Sequence, residues 1–106
     1  MTPRPDFFIV GAAKCGTTAL AQYLGAHPSV FIPGIKEPNF FCSDLRAKGG
    51  VSTLAEYRAL FASVPAQRVC GDASALYLYS RVAIQRLMQH NQGARVITLI
   101  RYPVDR

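Results

Sequence analysis

The segment GAAKCGTTAL, Gly11 to Leu20, brings together residue types suited to holding an anion. It follows the apolar run Phe7-Phe8-Ile9-Val10 and leads into a helical pattern. Unpaired amide N–H groups converge at a helix start, and the helix dipole favours negative charge there. Gly11 and Gly16 permit close backbone approach, Lys14 adds a positive charge, and Thr17 and Thr18 add hydroxyl donors in the first turn. The common nucleotide loop, G-x-x-x-x-G-K-[ST], places its lysine after the second glycine. Here Lys14 precedes Gly16, which counts against an ATPase reading. A Gly-Thr-Thr helix start that serves only as a cap is the plain alternative.

Other residues with chemical potential are few. Cys15, Cys42 and Cys70 are odd in number, and no CxxC pair is present, so neither a zinc site nor a disulfide framework is indicated. Reduced thiols are the economical reading, and they point to the cytoplasm. The opening MTPRPDFF lacks the charged-then-apolar pattern of a secretory signal, and the apolar runs are too short to span a bilayer. The net charge of +6 comes from nine arginines and three lysines against six acids. It favours an anionic partner. The basic residues are scattered and not interleaved with aromatics, so a small phosphorylated ligand is expected rather than nucleic acid.

These residues need a scaffold, and strands alternate with helices along the chain. Asp6 to Val10 reads as a first strand, Gly11 to Gly16 as a loop, and the helix from Thr17 is stopped by Gly25 and Pro28. Ser29 to Ile32 is a second strand, followed by a long connection from Gly34 to Gly50 rich in turn residues. Ser52 or Thr53 caps a helix with an apolar face of Leu54, Tyr57, Leu60 and Phe61. Arg68 to Gly71 forms a third strand, Ser80 to His90 a helix, and Arg95 to Ile100 a fourth strand. Alternation of this kind indicates an α/β fold with a parallel sheet. Val96 to Ile100 is continuously apolar, as in a central strand buried on both faces. With 106 residues, and such a strand close to Arg106, the chain is expected to be the N-terminal part of one domain.

Three stretches, in this order, resemble the sulfotransferases that use 3′-phosphoadenylyl sulfate (PAPS). FIVGAAKCGTTAL resembles their 5′-phosphosulfate loop. LGAHPSVFIPGIKEPNFF resembles the HP-x-V and KE-x-x-FF stretch of the heparan-sulfate-type and related bacterial members. VITLIRYPVDR resembles their 3′-phosphate strand and turn, R-x-P-x-x-R. The resemblance covers Phe7 to Arg106 and implies a P-loop-like parallel sheet flanked by helices, present as a partial sulfotransferase domain.

The resemblance also implies roles. Lys14 would contact the phosphosulfate and stabilise the charge that develops as the S–O bond breaks, together with the backbone donors of Cys15, Gly16, Thr17 and Thr18. Glu37 would be the catalytic base that takes the acceptor's proton. Arg101 would bind the 3′-phosphate that separates PAPS from ATP, with Arg106 in support. In the small-molecule branch of the family a histidine is the base. His27 suits helix termination, and His90 reads as surface, so Glu37 is the stronger candidate. GDASALYL, Gly71 to Leu78, resembles the segment K-[ST]-P-x-Y. Ser74 and Tyr77 are kept, but Ala73 replaces the frequent lysine and Ala75 the proline, which weakens the tie to polysaccharide acceptors.

The expected activity is therefore PAPS-dependent sulfation of a hydroxyl or amine, on a small-molecule or glycan acceptor. It needs no metal, nucleic acid or membrane. Two other readings stand: a nucleotide-binding fragment without activity, and a small P-loop kinase. The displaced lysine disfavours the kinase, as does the lack of an acidic metal ligand in VITLIR.

Overall fold

The computed structural model describes residues 4–12, 15–33, 38–45, 50–65 and 68–100. The strands are β1 (Phe7–Gly11), β2 (Val30–Phe31), β3 (Val69–Ala73) and β4 (Arg95–Thr98). The α-helices are α1 (Thr17–Gly25), α2 (Leu54–Ala59) and α3 (Ala83–His90), with short 3-10 turns at Ser43–Leu45 and Tyr77–Tyr79. The sheet order is β2-β3-β1-β4 and every pairing is parallel. Each crossover between successive strands carries one of the three α-helices, as parallel pairing requires. The α/β fold read from the alternation is the fold observed.

Hydrophobicity explains why β1 lies inside. All five of its residues are buried, and Phe8, Ile9 and Val10 are fully so. Alternation along the strand sends Phe8 and Val10 to one face. There they join Phe41, Cys42, Tyr57, Phe61, Cys70, Tyr77, Ala83 and Leu87 in one core cluster. Burying each large side chain contributes about 1.5–3 kcal/mol. Phe41 makes edge-to-face contacts with Phe8, Tyr57 and Tyr77, at centroid distances of 6.0, 5.2 and 5.9 Å. Phe7 lies on the opposite face of β1, across Gly71 of β3. A Cβ on Gly71 would come within 2.1 Å of the Phe7 ring, so the glycine makes room for it.

The helix boundaries follow local chemistry. Thr53 caps α2 in a full capping box, with its hydroxyl accepting from the Glu56 amide and the Glu56 carboxylate accepting from the Thr53 amide. The helix expected from Ser80 begins at Ala83 instead. Val82 is the N-cap, and the Ser80 hydroxyl accepts from the Val82 and Ala83 amides at 3.1 and 3.0 Å, so Ser80 braces the turn before α3 rather than joining the helix. Asp44 in turn accepts from the Ser80 hydroxyl at 2.6 Å and the Arg81 amide at 3.1 Å, tying the first 3-10 turn to the turn before α3.

The run from Val96 reads as a central strand, which needs a neighbour on each side, and in this chain Val96 is 42% exposed and Ile100 89%. Among the described residues β4 pairs with β1 alone, and none of them adds a strand on its far side. An apolar run records a capacity for burial, and only a neighbouring element turns that into burial.

Candidate functional site

The C-terminal ends of β1, β3 and β4 meet at one edge of the sheet, the end at which parallel α/β sheets bind ligands. Gly11 closes β1 there with φ +151°, a conformation that side-chain-bearing residues rarely adopt. Its carbonyl accepts from the Leu99 amide at 2.8 Å, and the Ala12 amide donates to the Leu99 carbonyl at 3.0 Å. The loop is thus stitched to the end of β4. The Ser74 amide donates to the Ile9 carbonyl at 3.1 Å, which brings the end of β3 to the same place.

Gly16 is the N-cap of α1, in a left-handed conformation with φ 91° and ψ 14°. Among the described residues no side chain caps this helix, which also lacks an acidic residue in its first turn. Thr17 is buried and Thr18 is exposed to solvent. The first-turn amides of an α-helix have no partner within the helix, so Thr17 and Thr18 present donors at this end of α1. Cys15 differs: its amide already donates to the Ala12 carbonyl at 3.2 Å, as part of the turn. Lys14, Glu37, Arg101 and Arg106 lie outside the described residues.

The segment after Glu37 is held by a buried polar cluster centred on Asp72, which is fully buried near the end of β3. Asp72 Oδ2 accepts from the Tyr57 and Tyr77 hydroxyls at 2.6 and 2.7 Å, and Oδ1 accepts from the Ser74 hydroxyl at 2.6 Å. The Tyr77 oxygen also accepts the Phe40 and Phe41 amides, at 3.1 and 3.4 Å, and the Ser74 oxygen accepts the Asn39 amide at 2.9 Å. Each hydroxyl has one proton, and the backbone amides approach as donors. The hydroxyl protons of Ser74 and Tyr77 therefore point at the carboxylate. Burial, reinforced by the Asp72 charge, pushes both phenols far above their ordinary pKa and keeps them protonated donors. The sequence reading singled out Ser74 and Tyr77 but passed over Asp72. The available signal was a lone acid inside a strand, where Asp is depleted.

The two histidines take different places. His27 is exposed, and its Nδ1 accepts the Ser29 amide at 3.0 Å, a local turn contact. His90 was expected at the surface and is instead partly buried. Its Nε2 donates to the Arg4 carbonyl at 2.7 Å, and its ring packs 5.5 Å from Phe41 and 5.9 Å from Tyr57. It joins the N-terminal segment to the core. A cleft of about 490 Å³ lies at the other end of the sheet, lined by Phe7, Val69 and Arg95, the first residues of their strands. The described residues contain no cluster of three or more His, Cys, Asp or Glu able to hold a metal, and no helix long and apolar enough to cross a membrane.

Residues 5–99 match the model of the sulfotransferase family. The chain belongs to that family. This sulfotransferase chain is 36% identical to a crystallographically determined sulfotransferase from Alicyclobacillus acidocaldarius, with a TM-score of 0.85, over 96% of its own length and 46% of that protein's. It is 31% identical to the membrane-associated sulfotransferase kil1 of Dictyostelium discoideum and 33% identical to the human heparan sulfate glucosamine 3-O-sulfotransferase 6. Both matches cover 96% of the sulfotransferase chain, but it spans only 21% of the first protein and 28% of the second. The loop, α1 and the Asp72 cluster all fall within the matched residues.

Proposed function

We propose that the protein transfers a sulfuryl group from PAPS to an acceptor hydroxyl or amine, and that this chain supplies the donor-binding half of the site. The observation that carries the reading is the uncapped N-terminus of α1 behind left-handed Gly16, beside the Gly11 loop, in a member of the sulfotransferase family. The bond that breaks joins sulfur to the bridging phosphate oxygen, and the bond that forms joins sulfur to the acceptor heteroatom. Charge gathers on the departing phosphate oxygen. In this reading the amides of Gly16 to Thr18 and the Lys14 ammonium stabilise it, while the Cys15 amide serves the turn. Glu37 takes the acceptor's proton and Arg101 grips the 3′-phosphate. The products are the sulfated acceptor and adenosine 3′,5′-bisphosphate, and no step draws on a metal.

The acceptor class is part of the proposal. The name of the human relative supports a glycan, whereas Ala73 in place of the frequent lysine supports a smaller or less anionic acceptor. The cytoplasmic placement expected from the cysteines also belongs to this reading, and cell fractionation tests it. A second reading, a nucleotide-binding piece without activity of its own, is favoured by the fraction of its relatives that the chain spans.

Calorimetry with adenosine 3′,5′-bisphosphate and with ATP separates these classes. Binding of the bisphosphate in preference to ATP, weakened at least tenfold in Lys14→Ala and Arg101→Ala, is the expected result. Preference for ATP refutes the donor assignment. Radiolabelled sulfate transfer from PAPS, lost in Glu37→Gln while bisphosphate binding persists, distinguishes an enzyme from a binding module.

A further inference from the structure

Asp72 is a fully buried carboxylate with no part in the chemistry proposed above, yet its hydrogen bonds are organised in one direction. Three successive backbone amides, those of Asn39, Phe40 and Phe41, donate to two hydroxyls, and both hydroxyls donate to this carboxylate. The amides belong to the stretch that follows Glu37, separated from it by Pro38. A core in need of filling could have used apolar side chains there, and a buried charge is costly unless fully bonded. The arrangement fixes a backbone rather than adding bulk. Asn39 is held with φ 52°, unusual for a side-chain-bearing residue, and its amide is the one bonded to Ser74. The Val51 amide, which donates to the Pro38 carbonyl at 2.9 Å, holds the same stretch from the other side.

We infer that Asp72, acting through Tyr77 and Ser74, is a positioning residue for the segment that carries the base. The inference rests on the assignment of Glu37 as that base. A carboxylate takes a proton efficiently only within hydrogen-bond reach of it, and a misplacement of about 1 Å costs on the order of 100-fold. Asp72 holds the two hydroxyls, and the hydroxyls hold the backbone next to Glu37.

Tyr57 provides an internal control. Its hydroxyl reaches the same Asp72 oxygen as that of Tyr77, but the amides of residues 39–41 bond to Ser74 and Tyr77. Its ring stacks on Phe40 at 4.8 Å, a contact that phenylalanine preserves. The test compares Tyr77→Phe with Tyr57→Phe in the full-length protein, with active sites counted by adenosine 3′,5′-bisphosphate binding. The expected result is a fall in kcat of at least tenfold for Tyr77→Phe, with KM for PAPS unchanged and the acidic limb of the kcat–pH profile displaced. Tyr57→Phe is expected to keep kcat within about twofold and the limb in place. Ser74→Ala supplies a second probe, expected to repeat the Tyr77→Phe pattern if that variant folds poorly. Equal kcat for the two tyrosine variants, or a fall in kcat without displacement of the limb, overturns the inference. Glu37→Gln tells the two failures apart: if it stays active, the base assignment falls and this inference falls with it. If it is inactive while Tyr77→Phe and Ser74→Ala remain normal, the inference alone falls.

Discussion

Gly11 and Gly16 bracket the proposed anion loop, and replacing each by alanine should have unequal effects that the geometry sets in advance. At Gly16 a Cβ would meet nothing within 4 Å, so the cost is conformational alone. A left-handed residue at φ 91° costs about 1–2 kcal/mol when it is not glycine. At Gly11 the Cβ would lie 2.9 Å from Leu78 Cβ, 3.1 Å from the Ala75 carbonyl oxygen and 3.3 Å from Leu78 Cδ2. The carbonyl is backbone and Leu78 Cβ is the fixed end of its side chain, so relief requires the 3-10 turn to move. Backbone strain at φ +151° adds about 1–3 kcal/mol, and overpacking another 1–3 kcal/mol or so. Gly11→Ala should therefore cost about 2–6 kcal/mol and Gly16→Ala about 1–2 kcal/mol.

Urea unfolding followed by far-ultraviolet circular dichroism measures both. With a slope of about 1–3 kcal/mol per molar urea, Gly16→Ala lowers the midpoint by about 0.3–2 M, and Gly11→Ala by more at the same slope. Gly16→Asn should recover much of the loss, because asparagine tolerates the left-handed region. Equal destabilisation by the two alanines, or no recovery with asparagine, would refute the reasoning.

Two further outcomes follow from the caps. Thr53→Ala removes the hydroxyl that accepts the Glu56 amide, and the stability measured by urea midpoint should drop by about 1 kcal/mol. Acid should weaken the fold through Asp44 and Glu56. The Ser80 hydroxyl and the Arg81 amide hold Asp44 below its ordinary 3.8, and the Ser52 amide with the Thr53 hydroxyl holds Glu56 below 4.5. Because both are depressed in the folded state, their contributions are complete above those ordinary values and disappear as pH falls through the folded ones. The urea midpoint should therefore decline from pH 6 to pH 3, and less steeply in Asp44→Asn/Glu56→Gln; an unchanged slope would contradict the assigned bonds.

How much of this was legible in the chain differs from residue to residue. The β1 run and the Thr53 cap are local, since an apolar β-rich run and an S/T-x-x-E box act over a few positions whatever surrounds them. The sulfotransferase family was legible as well, through three short motifs kept in order. His90 was not, because its exposure depends on Arg4, Phe41 and Tyr57, all distant in sequence. Ser80 looked like the start of a helix, yet it bonds amides in the turn above it and an aspartate 36 positions earlier.

The sequence by itself determined the alternation of strands and helices, the glycine-bounded loop and the family, because these are written in residue type, period and spacing. Tertiary structure alone decided that Asp72 becomes the buried hub of a hydrogen-bond network, and that His90 is drawn against Phe41 and Tyr57. Each of these depends on which groups from remote parts of the chain reach hydrogen-bond or contact distance, and that is a property of packing.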